Sequence, residues 1–497
     1  MVSLLNSISL KIKMLQRMRR RNNRYIFCLL LGTMSTLSTF ALPDPGKPFT
    51  ITDFLRIVRS GHPMARQAEL VRESARNQVM DARGAFDPQL TAGWENKRYD
   101  SKEYWRTFEG GLKIPTWFGI EAKAGYEQNS GSFLSETQRL PPNGLVYAGI
   151  SVPVLQNTFT DERRTALRQA QIFRKSSDAE RVAMLNDLYL NASKAYWEWM
   201  YAWMETAIYK DFVRLAEIRL DAIRTSYFRG ANPGIDTVEA LIVLQSRKVG
   251  LDQATLELKA ASLQLSNYLW TDTYVPLEVA DSILQPTHPD SVSYPDALTA
   301  DSLVKAIAGL DAHPDLIQKQ LKLKWLEQER LLKLNKTLPK LNLNYNFLAE
   351  PVGINPASWN FNLFRNNFKY GIDFKFPVLI RSERAGLNLT KIKIQSGQLD
   401  LSQKRLEIQN KVRYYYNELF YYGNQVRMYR NIVRNYVTLM DAEEKKFSIG
   451  ESSVFLLNSR EIKLIESRIK LVELQSKLMK AFAAYEQSKG TLYQKVP

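Results

Sequence analysis

The sequence predicts an α+β membrane protein in two internal structural repeats, with a transmembrane β-barrel wall continuing into very long α-helices. Three observations predict it. Two segments of the 497-residue chain match each other without a gap, two long stretches lack proline, and several short runs alternate apolar with polar residues and carry aromatics on one side. At 45% hydrophobic and 11% aromatic, the chain has ample material for a core.

The N-terminal segment reads as an export signal. Lys11, Lys13, Arg17, Arg19, Arg20, Arg21 and Arg24 precede the apolar run YIFCLLL (Tyr25 to Leu31), and Thr39-Phe40-Ala41 places small residues at the third-last and last positions before a cleavage point. Residues 1–41 are therefore expected to be removed, with the mature chain starting near Leu42 and with Met14 or Met18 as alternative starts. As a membrane anchor the run is too short, because it dissolves into GTMSTLST well before the roughly 20 residues a spanning helix needs.

Removing this segment takes seven basic groups from a formal charge of +17, leaving +10, and takes the sole cysteine, Cys28, with it. A mature chain without thiols has no disulfide, thiolate metal site or cysteine nucleophile. Tyr25-Ile26-Phe27 before Cys28 also lacks the small residues of a lipidation site. The remaining positive charge is interleaved with glutamate along helical segments, the pattern of solvated helix faces rather than of a nucleic-acid surface.

The two repeats follow from self-similarity. Aligning His62-Pro63 with His313-Pro314 brings Gln67 onto Gln318, Leu70 onto Leu321, Pro88 onto Pro339 and Leu90 onto Leu341. Farther on, YAGISVPVL (Tyr147 to Leu155) matches YGIDFKFPVL (Tyr370 to Leu379), and Asn191, Tyr196-Trp197 and Phe228 match Asn410, Tyr415-Tyr416 and Phe447. The expected organisation is a first repeat over 42–270, a linker over 271–301 containing Pro276, Pro286, Pro289 and Pro295, and a second repeat over 302–497. Each repeat runs helix, strands (about 88–155 and 339–378), then a long helical hairpin (about 161–270 and 381–490).

The long helices are read from absences as well as pattern. No proline lies between Pro153 and Pro233, no glycine between Gly149 and Gly230, and Leu185, Leu188, Ala192, Ala195 and Trp199 recur at helical spacing. A helix from Asp161 to Phe228 would be on the order of 100 Å long, a coiled-coil length. After Pro377 the second copy has no proline until Pro497. The loops FRGANPGID (Phe228 to Asp236) and FSIGESSV (Phe447 to Val454) then turn each chain back into a shorter helix.

The strands alternate strictly. Phe118, Ile120, Ala122, Ala124 and Tyr126 alternate with Glu121, Lys123, Gly125 and Glu127; Phe368, Tyr370, Ile372, Phe374 and Phe376 alternate with Lys369, Gly371, Asp373 and Lys375. Further strands are expected at Pro88 to Asp100, Thr107 to Pro115, Leu145 to Pro153 and LNLNYNF (Leu341 to Phe347). A half-exposed soluble sheet would alternate in the same way. Large aromatics on the apolar face of an exported, cysteine-free chain favour a membrane barrel. Four or six strands fall short of the eight in the smallest such barrels, so several chains must share one.

Taken together, these features resemble the TolC-type outer-membrane efflux protein family (outer membrane factors). The resemblance is carried by the HPxxxQxxL segments at His62 and His313, the strand ends ISVPVL and DFKFPVL, and the hairpins around FRGANPGIDTVEAL and FSIGESSVFLLNSR. It implies a homotrimer in which a shared barrel in outer-membrane lipid sits on an α-helical coiled-coil barrel crossing the periplasm, with an equatorial belt of short elements. It also implies an exit duct for a tripartite efflux pump or type I secretion system, docked to a periplasmic adaptor (membrane fusion protein) and through it to an inner-membrane transporter. The sequence departs from the simplest family pattern between Ser101 and Asn143. There GLKIPTWFGIEAKAGYE either adds a hairpin, for six strands per chain and 18 per trimer instead of 12, or forms an extracellular loop. A soluble periplasmic coiled-coil scaffold is the alternative reading.

On the resemblance, the hairpin turns form the periplasmic tip. Phe228, Gly230, Asn232, Pro233, Gly234, Phe447, Gly450, Ser452 and Ser453 are the candidate adaptor-docking residues. Asp236 and Glu239 are gate candidates, because carboxylates repeated in a narrow pore repel each other and favour cations. Both also suit the start of a helix. Arg460 is expected to pair with one of them and hold the tip shut. Asn342, Asn344, Asn346, Lys369, Asp373 and Lys375 are the candidate barrel-lumen residues. The aromatic patches AYWEWMYAW (Ala195 to Trp203) and YYYNELFYY (Tyr414 to Tyr422) are expected to pack against the belt. With His62, His288 and His313 the only histidines and no nucleophile elbow, phosphate loop or HExxH motif, neither an enzyme nor a cofactor or metal is expected.

Overall fold

The computed structural model describes residues 48–230, 233–278, 285–287, 300–350 and 367–496. The expected signal segment, much of the expected linker, His288 and Asn232 lie outside them. In the first half α1 (Ile51–Gly61) and α2 (Pro63–Gly84) lead into β1 (Gln89–Tyr99), β2 (Lys102–Pro115), β3 (Glu121–Ser130) and β4 (Leu145–Pro153), followed by α3 (Glu162–Phe228) and α4 (Gly234–Ser266). In the second, α5 (Ala300–Ala308) and α6 (Pro314–Asn335) lead into β5 (Lys340–Ala349) and β6 (Phe368–Lys375), then α7 (Arg381–Ser448) and α8 (Val454–Ser488).

Helix α3 has 67 residues and α7 has 68, each on the order of 100 Å of unbroken helix. Asp161 is the N-cap of α3 rather than its first residue, its carboxylate accepting the Arg164 N–H at 2.7 Å. The two His-Pro pairs do one job twice. His62 Nδ1 accepts the Met64 N–H at 3.1 Å and His313 Nδ1 accepts the Asp315 N–H at 3.2 Å, each with proline in the first turn of the helix it caps. Burial pushes both imidazoles below their ordinary range, which preserves the neutral ring that can accept at Nδ1.

The largest core lies midway along α3, where α1, α4, α8 and the chain end meet. Phe49, Phe54, Tyr196, Trp199 and Met200 are buried there, and the Tyr196 hydroxyl donates to Phe49 O at 2.6 Å. Asn186 ties the C-terminal turn to the same level, donating to Gly490 O and accepting the Tyr493 N–H. The first aromatic patch is thus buried in this core. The second divides: Leu419 is buried, whereas Tyr414, Phe420 and Tyr421 are exposed in the single chain, on a side of α7 that no neighbour among the described residues covers.

All six strands form one antiparallel sheet in the order β1-β2-β3-β4-β5-β6. The segment with two readings therefore adds a hairpin, β2–β3, to the sheet. Strand β2 starts at Lys102, earlier than its alternation showed, and β3 starts only at Glu121. Phe118 and Ile120, expected in that strand, belong to the turn before it, where the Thr116 N–H donates to Ile120 O at 2.9 Å. No helix among the described residues is long and apolar enough to cross a membrane.

Candidate functional site

The sheet separates two chemistries by register. Asn342 and Asn346 of β5 stand opposite Asp373 and Lys369 of β6, Asn344 opposite Gly371, and Lys340 opposite Lys375. Successive side chains of a strand alternate between faces, so all six candidate lumen residues share one face. Asn344 Nδ2 donates to Asp373 Oδ2 at 2.6 Å on that face. On the other, Leu341, Leu343, Tyr345 and Phe347 stand opposite Phe374, Ile372, Tyr370 and Phe368, with the rings of Tyr345 and Phe368 stacked at 5.9 Å. This apolar face is solvent-exposed in the single chain, as Tyr370, Ile372 and Phe374 show.

The same division runs through the inserted hairpin. Lys113 and Lys123 pair across β2 and β3 on the polar face, as do Glu109 and Glu127, while Leu112 pairs with Ala124 on the apolar face. Near the junction with the helices, Glu121 collects Lys123 at 3.7 Å and Arg163 at 3.8 Å.

At the opposite end of the long helices lie the two hairpin turns. Gly230 and Gly450 adopt φ of +72° and +80°, the left-handed conformation that lets a chain leave a helix tightly. Phe228 is 84% exposed, whereas its sequence counterpart Phe447 is half-buried against Val454 and Leu457. Pro233 is the N-cap of α4, Gly234 opens that helix and Asp236 lies in its first turn. Ser453 caps α8 by accepting the Leu456 N–H at 3.3 Å.

Arg460, expected to pair with Asp236 or Glu239, has an ion pair with Glu443. Arg460 Nε lies 3.5 Å from Glu443 Oε2 within its own hairpin, and Ser452 donates to the other Glu443 oxygen at 2.6 Å. Those two donors, Ser452 first, hold the Glu443 carboxyl below the usual range. Glu239 accepts from Asn458 Nδ2 at 3.1 Å, a polar contact between α4 and α8.

The residues that tie the hairpins together most deeply were not expected from the sequence. Arg219 of α3 donates to Glu461 of α8, which is 0% exposed, and also to Asn458 Oδ1 at 3.4 Å. Arg247 of α4 is buried beside them, and there burial works against its charge while Glu461 supports it. A second feature was present in the sequence as spacing. Ile235, Ile242, Val249, Leu256 and Leu263 recur every seven residues along α4, and all are 58–73% exposed in the protomer. One apolar position in every seven is half of a coiled-coil seam, and no helix among the described residues covers this one.

No protein-family model matches the sequence, and no curated protein matches it. Solved structures do. The CmeC outer membrane channel of Campylobacter jejuni is 12% identical, with 89% of this chain and 86% of that one covered at a TM-score of 0.61. The open state of the Neisseria gonorrhoeae MtrE outer membrane channel is 14% identical over 89% of each chain at 0.62. The outer membrane protein VceC of Vibrio cholerae is 12% identical over 89% of this chain and 96% of that one at 0.61. With a strand wall polar on one face and apolar on the other, above two long helical hairpins, the chain has the fold of the TolC-type outer-membrane channels.

Proposed function

We propose that three copies of the chain form an outer-membrane exit duct for a tripartite efflux pump or type I secretion system. The observation that carries this reading is the sheet. Among the described residues it has two open edges and a hydrocarbon face; lipid suits the face but leaves the edges without partners unless further copies complete a closed barrel. The heptad seam on α4 supports the same assembly, since it needs a helix from a second copy.

In this reading the face bearing Asn342, Asn344, Asn346, Lys369, Asp373 and Lys375 lines a water-filled lumen, and the opposite face meets outer-membrane lipid. The turns carrying Phe228, Gly230, Pro233, Gly234, Gly450, Ser452 and Ser453, with Phe447 beneath them and Asn232 in the segment outside the described residues, form the periplasmic tip. There a periplasmic adaptor docks and connects the duct to an inner-membrane transporter. The exposed Phe228, Ile449 and Phe455 supply apolar contact for that adaptor. Asp236 and Glu239 act as the gate carboxylates, and Arg460 acts on the gate through Glu443.

Detergent extraction from outer membranes followed by planar-bilayer recording tests the proposal. A trimer that conducts ions is the expected result; recovery as a soluble periplasmic protein without conductance would establish the coiled-coil scaffold instead.

A further inference from the structure

We infer that the shared barrel has eighteen strands, closed by pairing β6 of each copy with β1 of the next. This gives an exit roughly one and a half times as wide as twelve strands would give, since barrel diameter grows about linearly with strand number. The inference rests on the reading of the chain as a shared duct and concerns how that duct is closed.

The question is whether β2 and β3 belong to the membrane wall or extend beyond it. Register places them in the wall. Strand β1 pairs along its whole length with β2 and makes no ladder with β4, so removing the hairpin from the wall would leave β1 detached as well. The apolar face also continues across all six strands, through the row Leu90, Leu112, Ala124, Ala148, Phe347 and Phe368. A loop standing in water outside the membrane has no reason to keep this face in phase with the strands that meet lipid.

The inner end of the hairpin is fixed at the same level as the rest of the wall. Trp117, in the β2–β3 turn, stacks on Phe86 with centroids 4.6 Å apart and planes 10° apart. Phe86 is itself buried against Val79 of α2 and Leu167 of α3. The turn thus rests on the helical stem, beside the start of β1 and the end of β4, and the hairpin runs outward from there at full height.

Among the described strands only β1 and β6 then have an unpaired edge. In an alternating sheet of six the two outer strands run in opposite directions, so β6 meets β1 of the next copy as an antiparallel neighbour. Their apolar residues, Leu90, Ala92 and Trp94 against Tyr370, Ile372 and Phe374, fall on the same side of the wall. Closure satisfies the backbone groups that lipid would otherwise leave without partners.

Cysteine pairing in outer membranes tests this, with Cys28 the sole native cysteine and within the segment expected to be cleaved. Ile372→Cys is combined in turn with Leu90→Cys, Ala92→Cys or Trp94→Cys on β1, and separately with Ala122→Cys or Ala124→Cys on β3. After mild oxidation the β1 set should yield disulfide-linked trimers that revert on reduction, and the β3 set should remain unlinked. Intact trimers that link through β3, that link at none of the β1 positions, or in which Leu112→Cys and Ala124→Cys on the apolar face of the hairpin label freely with a membrane-impermeant thiol reagent overturn the eighteen-strand wall and leave the duct standing. Absence of any trimer before oxidation overturns the duct itself, and this inference with it.

Discussion

Arg219 on α3 reaches across to Glu461 on α8, joining the first helical hairpin to the second through a carboxylate that is completely buried. A buried ion pair adds little net stability over an apolar pair of similar size, but losing one member strands the other charge. Glu461→Ala should therefore destabilise the protein by about 3–5 kcal/mol, while Arg219→Met with Glu461→Leu should come much closer to wild type. Thermal melts of the three proteins check this. Equal losses in the single and double variants would show that the pair is not what couples the hairpins.

The proposed gate carboxylates predict an electrical signature. Asp236→Ala and Glu239→Ala should raise single-channel conductance and reduce cation preference, because they remove negative charge repeated around the pore. Arg460→Ala should act more weakly, through the Glu443 it holds. If all three leave conductance unchanged, the gate assignment fails.

The seam on α4 predicts where assembly breaks. Ile242→Glu with Val249→Glu puts charge into an interface where each side chain otherwise contributes about 2 kcal/mol of burial, and repeats the loss in every copy. Trimer should be lost in native mass spectrometry while far-ultraviolet circular dichroism stays helical. A trimer surviving both substitutions would show that the stripe faces something else.

The two histidine caps predict a pH dependence. Burial lowers both imidazole pKa values, so the neutral caps contribute fully above the ordinary histidine value of roughly 6.5. That contribution is lost as pH falls through the lower folded-state values, when Nδ1 gains a proton and can no longer accept. The melting temperature should drop between pH 7 and pH 5. His62→Asn with His313→Asn keeps a good cap without a titrating group and should flatten that drop, whereas the alanine versions cost about 1 kcal/mol each at neutral pH. An unchanged pH profile in the asparagine variant would remove the caps from the account.

What the sequence showed, and what it hid, follows from range. Alternation along LNLNYNF and the absence of proline after Pro377 are local signals, and both the strand and the helix stand where those signals put them. The partner of Arg460 was not legible. Each residue along a helix turns the side chain by 100°, so which charge meets which depends on the mutual rotation of packed helices, a tertiary quantity. Phe228 and Phe447 make the same point, since one of two equivalent sequence positions ends in solvent and the other half-buried against a core. The seam at Ile235, Ile242, Val249, Leu256 and Leu263 was legible as a seven-residue period, but the surrounding three-to-four pattern of an amphipathic helix conceals it.

The central claim is that one face of the strand wall meets water and the other meets lipid, and adjacent residues of β5 test it most directly. Asn342→Cys and Leu343→Cys, each in outer membranes, are exposed to a membrane-impermeant thiol reagent. Residue 342 should label rapidly and residue 343 should be protected; equal labelling at the two positions would contradict a wall with one wet and one lipid-facing side.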